Sequence, residues 1–182
     1  MTRRMQEEDF RIEPQPPYTP HIGALVQMMA YARFTTLQAV DGLSMDELDA
    51  VPTNFTNSIG MLLAHIAATD RMYQYLSFEG VDPMHENVAE YAEYAPYIGA
   101  MTFGKKGEKV RGRTLDELLT DLDAVRTKTL TELAGRGDTW LASRLSAPDF
   151  DYPNHHWAWF HVMEDEVSHR GQIRLIRKAL KQ

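Results

Sequence analysis

"HVMEDEVSHRGQI", residues 161–173, decides how this chain is read. His161, Asp165 and His169 follow one another at intervals of four, so on a helix they stack along nearly one face. Around them Ala158, Val162, Ile173, Ile176 and Leu180 mark the apolar stripe that such a helix buries. On a wheel at about 100° per residue, Asp165 and His169 fall inside that stripe, and His161 and Gln172 lie on its edge. Glu164, Arg170, Arg174 and Lys178 fall mostly on other faces, as solvated charges should. A helix that buries an ionised carboxylate needs a reason, because an unpaired one is costly to take out of water. One reason is a hydrogen-bonded Asp165–His169 pair that satisfies itself. The more economical one is a divalent metal, which neutralises the carboxylate and uses both donors at once.

A metal requires further ligands, and the stretch "MLLAHIAATD", residues 61–70, offers one. His65 stands there among Leu62, Leu63 and Ile66, close to the apolar stripe of its own helix. Alone, a histidine in that setting is more often a satisfied core residue. Together with Asp165 and His169 it gives two imidazoles and one carboxylate from two facing helices. Such a set leaves coordination positions open, which is the geometry of a working site and not of a closed structural one. Glu166, three residues before His169, is the rival carboxylate, placed further from the core arc.

Outward from these two segments, the chain reads as helix after helix. After the proline-rich residues 1–19, an extended arm, Ile22, Leu25, Val26, Met29, Leu37 and Val40 recur at helical spacing until Gly42. "SMDELDAVP" predicts a short helix with Ser44 and Glu47 as a capping box. A second long helix starts near Asn57 or Ser58 and reaches about Phe78, with Gly80 ending it. A third begins at Thr114, whose box partner is Glu117, and runs to about Gly135. The fourth follows Pro153 and Asn154 and continues almost to the C-terminus. Residues 80–112 are too long for a tight hairpin, so the second and third helices are expected to be joined by a crossover. Trp140–Leu145 is expected as a short strand-like piece. The expected fold is all-α: a four-helix bundle over residues 20–182 with a long crossover between helices 2 and 3.

Bulk properties narrow the function. The apolar fraction of 43% and charged fraction of 25% are those of an ordinary globular domain. A net charge of −7 argues against general nucleic-acid binding, which needs a basic face. No apolar run is long enough to span a membrane, and the charged N-terminal stretch lacks the apolar core of a signal peptide. A cytoplasmic location is the default expectation. There is no cysteine, so a protein thiol nucleophile is excluded and any thiol chemistry must use a thiol from outside.

"NSIGMLLAHIAATDRMYQ", followed about a hundred residues later by "HVMEDEVSHRGQIRLIRK", resembles the DinB/YfiT-like superfamily of metal-binding four-helix bundles. Its most specific part is the histidine of the second helix together with "HRGQI" in the fourth. Many members carry a histidine where this chain has Asp165, a departure similar to the branch of mycothiol-dependent maleylpyruvate isomerase. The resemblance implies His65, Asp165 and His169 as ligands to a divalent ion, zinc and nickel being the foremost candidates. His161 matches a position often held by a histidine that is not a ligand; it is read as an outer partner of Asp165 or of a bound water, as a proton acceptor, or as helix-edge packing. The resemblance further implies a low-molecular-weight thiol such as bacillithiol or mycothiol, transferred to a small electrophile or used in an isomerisation, and a possible homodimer. A metal-dependent hydrolase and a non-catalytic, stress-associated metal binder are the alternatives.

Weaker features complete the expectations. Tyr91, Tyr94, Tyr97 and Phe103 either line the mouth of the site or pin the crossover by packing. Lys105, Lys106, Lys109, Arg111 and Arg113 read as a solvated loop, and His155 and His156 as loop or capping residues. Arg174, Arg177, Lys178 and Lys181 complement the dipole at the last helix's C-terminus.

Overall fold

The computed structural model of the chain describes residues 10–84, 95–103, 110–147 and 152–181. These residues are mostly helical, with turns, irregular connections and a single isolated bridge; no strand occurs among them. Helix α1 is Pro20–Val40, α2 Met45–Asp49 and α3 Ile59–Gln74. A 3-10 turn leads into the short α4, Ile98–Met101, and then come α5, Leu115–Ala134, α6, Asp138–Ala142, and α7, His155–Ala179.

Local chemistry sets most of these boundaries. The capping boxes expected at Ser44/Glu47 and Thr114/Glu117 are both formed, each pairing side chain and backbone in both directions. Ser58 caps α3 by accepting the Met61 N–H at 3.2 Å, and Asn154 caps α7 by accepting the Trp157 N–H at 2.8 Å. The start of α1 borrows its cap from far along the chain. Asp138 accepts from the Thr19 hydroxyl at 2.5 Å and from the His21 and Ile22 N–H groups at 3.1 and 3.3 Å. That carboxylate fixes α6 against the start of α1.

Two elements differ in kind from expectation. The second long helix does reach the Phe78 region and stop at Gly80, which has φ +70°, but its last turn, Tyr75–Glu79, is a wide π-turn. The widening carries Ser77 to where its hydroxyl accepts from Trp159 Nε1 at 3.0 Å and pairs with His155 Nδ1 at 2.8 Å. The strand-like reading of Trp140–Leu145 is corrected: residues through Ala142 are helical, because Asp138 is committed to α1 and Leu141 is buried. Only the Arg144–Asn154 bridge remains of it.

The described part of the N-terminal arm lies along α1. Gly23 permits this, since a Cβ there would stand 2.9 Å from the Gln15 nitrogen. Helix α3 packs against α5 and α7, and α7 packs against α1. Among the described residues the buried apolar side chains fall into two clusters. One joins α2, α3, α4 and α5 to the C-terminal part of α7 through Leu48, Ile59, Leu63, Leu122 and Ile173. The other joins α1, α6 and the N-terminal half of α7 around Trp159.

Between the two clusters lies a buried ionic layer. Glu166 accepts from Arg33 Nε at 2.8 Å and from Arg126 at 3.1 Å. Arg126 Nε also donates to Asp70 at 2.8 Å, and Thr129 donates to Asp70 at 2.5 Å. Gln74 donates to Thr129 at 2.9 Å and to the Val125 carbonyl at 2.8 Å. All four long helices contribute to this layer, so it locks their relative heights as well as their contact.

Candidate metal centre

The expectation for residues 65, 165 and 169 was that a hundred-residue separation would close in space. His65 on α3 and Asp165 and His169 on α7 do meet, with one ligand atom of each within 4.8 Å of the others. Asp165 Oδ1 is 3.2 Å from His169 Nε2 and 3.6 Å from His65 Nε2. Ligands bonded to a tetrahedral zinc at the usual lengths stand about 3.3 Å apart, so this spacing suits a shared cation. Both imidazoles are buried and Asp165 is partly so.

The hydrogen bonds show why the cluster fits a cation. His65 Nδ1 lies 3.0 Å from the Ala100 carbonyl, which can only accept, so the proton sits on Nδ1. With the proton on Nδ1, the ring's Nε2 is an acceptor; the Thr69 hydroxyl stands 3.4 Å from it, and Asp165 Oδ1, itself an acceptor, stands at 3.6 Å. Two acceptors face each other unless a proton or a metal ion lies between them. Asp165 Oδ2 and His169 Nδ1 are buried without a hydrogen-bond partner among the described residues. Burial alone would push the Asp165 carboxyl up, but hydrogen bonds and charge from the His169 and His65 rings, when those rings carry the facing proton, outweigh it. The group is held well below the usual carboxylate range. An ionised carboxylate, a pre-set imidazole tautomer and unpartnered buried atoms form a donor set that a divalent ion would complete.

The segment around α4 closes one side of the cluster. Besides the Ala100 carbonyl, the Phe103 ring stacks on His65 with centroids 4.2 Å apart and stands 5.6 Å from His169. Phe103 adopts φ +50°, uncommon for a bulky side chain, and this sends its ring over both histidines. Of the crossover aromatics, then, Phe103 touches the site, and Tyr97 packs against the core. Tyr91 and Tyr94 lie outside the described residues, as do Lys105, Lys106 and Lys109. Arg113 pairs with Asp121 at 2.7 Å.

Glu166 requires a correction. It was expected further from the core than Asp165, yet it is completely buried and Asp165 is not. Helix α7 has neighbours on two sides, and Glu166 faces the interior where Arg33 and Arg126 neutralise it. Its carboxylate is engaged there and is absent from the histidine cluster. Arg170 is likewise not a free surface charge; it is partly buried and donates to the Thr35 hydroxyl.

His161 stands one turn before Asp165 and outside the cluster. Its Nδ1 is 3.3 Å from Glu164, its ring stacks on Trp157, and its edge meets Tyr73. Asp165 Oδ2 has no partner, so His161 does not orient that oxygen. The Tyr73 hydroxyl is pushed up to about 12 by burial and by Asp165 and Asp82. His155 proves to be a buried residue of the first turn of α7 and not a loop group. It stacks on Trp140 at 4.1 Å, and burial, aided by Arg136, pushes it down to about 4.

The sequence carries one signal for the ionic layer. Arg126 occupies the same stripe as Leu122, Thr129 and Leu133, an apolar spacing interrupted by a cation.

Residues 24–182 match a family model described as MST: Mycothiol-S-transferase. No curated protein matches the chain.

Proposed function

Because the chain belongs to the mycothiol-S-transferase family, within the DinB/YfiT-like superfamily, we propose that it transfers mycothiol to small electrophiles at a divalent metal held by His65, Asp165 and His169. The observation that carries the metal is the pair of facing acceptors, His65 Nε2 and Asp165 Oδ1, 3.6 Å apart with a second carboxylate oxygen unpartnered beside them. The observation that carries the thiol is the family match, joined to the absence of any cysteine in the chain. We read the four long helices as the bundle of that superfamily, with residues 1–19 as an arm upon it.

A divalent ion bound there would lower the pKa of a thiol so that thiolate exists at neutral pH. The chain's own part is to bind and arrange. His65 is fixed in one tautomer by Ala100, Asp165 contributes charge, and Phe103 with α4 excludes water from one flank. In the transfer itself the thiol loses its proton, sulfur bonds to the electrophilic carbon, and the leaving group departs with the electron pair of the bond it broke. Zinc and nickel both accept this donor set. The family match favours thiol transfer over the hydrolase and the non-catalytic reading.

The test is consumption of monochlorobimane by the metal-loaded protein with and without mycothiol, run beside Asp165→Ala and His65→Ala. Thiol-dependent conjugation that is lost in both variants is expected. Equal turnover without thiol, or full activity in both variants, overturns the proposal.

A further inference from the structure

The α7 face that carries Asp165 continues toward its N-terminus as an aromatic surface. Trp157, His161 and Asp165 succeed one another at intervals of four. The Trp157 and His161 rings are parallel within 3°, with centroids 5.1 Å apart, and the edge of His161 rests against buried Tyr73 at 5.5 Å. Glu164 stands 3.3 Å from His161 Nδ1. Trp157 nevertheless leaves 44% of its surface to solvent. A large aromatic stacked from behind and partly open to solvent is a surface suited to stacking.

Resting on the thiol-transfer reading above, we propose that Trp157, backed by His161, is a shelf on which a polyhydroxylated ring of the thiol cosubstrate stacks while its sulfur reaches the His65–Asp165–His169 cluster. Distance selects the occupant. At 1.5 Å of rise per residue, Trp157 lies about 12 Å along the helix from Asp165. The electrophile must approach within roughly 3–3.5 Å of the reacting sulfur, so it cannot occupy a shelf that far away. The non-reacting part of the thiol can. Mycothiol carries its cysteine on two hydroxylated rings, whose C–H faces pack on aromatic planes while their hydroxyls stay in water. The opposite flank of the cluster is taken by Phe103 and the Ala100 carbonyl. Binding energy gathered on such a remote group holds the sulfur in place for reaction.

The experiment titrates metal-loaded wild type, Trp157→Ala and Trp157→Phe with mycothiol and, separately, with cysteine, which has the thiol and no ring. Metal content is measured on the same samples. Loss of a stacking tryptophan anchor is expected to weaken mycothiol binding on the order of tenfold or more. Trp157→Phe should keep most of the affinity, and cysteine binding and metal content should not change. In the wild type, mycothiol should also shield the exposed tryptophan from acrylamide quenching, a signal that Trp157→Phe removes. Mycothiol affinity within twofold of wild type in Trp157→Ala overturns the shelf and leaves thiol transfer standing. Equal weakening for cysteine overturns it too, by placing the effect at the metal. A dimer abolished by Trp157→Ala with unchanged mycothiol affinity would make the surface a contact between copies and overturn the shelf. A wild type that binds metal but neither thiol overturns the functional reading itself.

Discussion

Replacing Glu166 by Gln tests whether the buried ionic layer holds the helices together. Glu166 is inaccessible to solvent and receives three charge-assisted hydrogen bonds, from Arg33 at 2.8 and 3.3 Å and from Arg126 at 3.1 Å. With Asp70 it balances two guanidiniums, so the amide leaves one buried positive charge without its counter-charge. The amide also turns an NH2 group toward donors. Breaking a buried ion pair by removing one partner costs about 3–5 kcal/mol. Against a total of roughly 5–15 kcal/mol for a domain, that is a large share. With a urea slope of about 2 kcal/mol/M, the midpoint should fall by roughly 1.5–2.5 M at pH 7 while the slope stays constant. The pH dependence gives a second readout. Burial acts to raise the Glu166 carboxyl, but Arg33 and Arg126 outweigh it and hold it below its ordinary value. A depressed folded-state pKa means stability present above the unfolded value of about 4.3 and lost as pH falls below it. Wild type should therefore lose stability through that acidic window and Glu166→Gln should lose less. A destabilisation under about 1 kcal/mol, against the 3–5 expected for a broken buried pair, would refute the layer's role, as would parallel pH curves.

Further consequences concern the ends of the helices. Asp138→Ala removes the borrowed cap of α1, which should cost about 1 kcal/mol and lower Tm by roughly 2–4 °C in a scanning calorimeter; an unchanged Tm would mean the cap contributes nothing. The lowering of the Asp138 carboxyl, where burial is outweighed by Thr19, His21 and Ile22, implies that the contribution fades below pH 4 or so. His155, pushed down to about 4 by burial and Arg136, is neutral in the fold while the unfolded chain protonates near 6.5. Stability should accordingly decline as pH drops from about 6.5 to 4, and His155→Gln should flatten that stretch of the curve in chemical denaturation. Identical slopes would contradict it. Ser77→Ala strands the Trp159 indole N–H in the interior and should cost about 1–3 kcal/mol in the same assay.

The elements legible in the sequence are those with local causes. Ser44 with Glu47 and Thr114 with Glu117 announce their helices within four residues, and Gly80 marks an end because its φ of +70° favours glycine. His65, Asp165 and His169 were legible because each interrupts an apolar stripe with a group that must find a partner. The features that escaped depend on distant chain. Glu166 looked peripheral on a wheel built for one neighbour, whereas α7 faces both α1 and α3. Its partner Arg33 lies 133 residues away, and no local pattern joins the two. The π-turn at Tyr75–Glu79 likewise answers to Trp159 and His155 on another helix, and α6 forms where its Asp138 meets the start of α1.

Whether His65, Asp165 and His169 hold one divalent ion is read from metal content by mass spectrometry. Wild type purified without chelator, or reloaded with zinc, should carry about one ion per chain, as a single His–Asp–His site requires. Asp165→Ala and His65→Ala should carry almost none while keeping wild-type helicity. Equal metal in all three folded proteins would mean that these residues do not bind it.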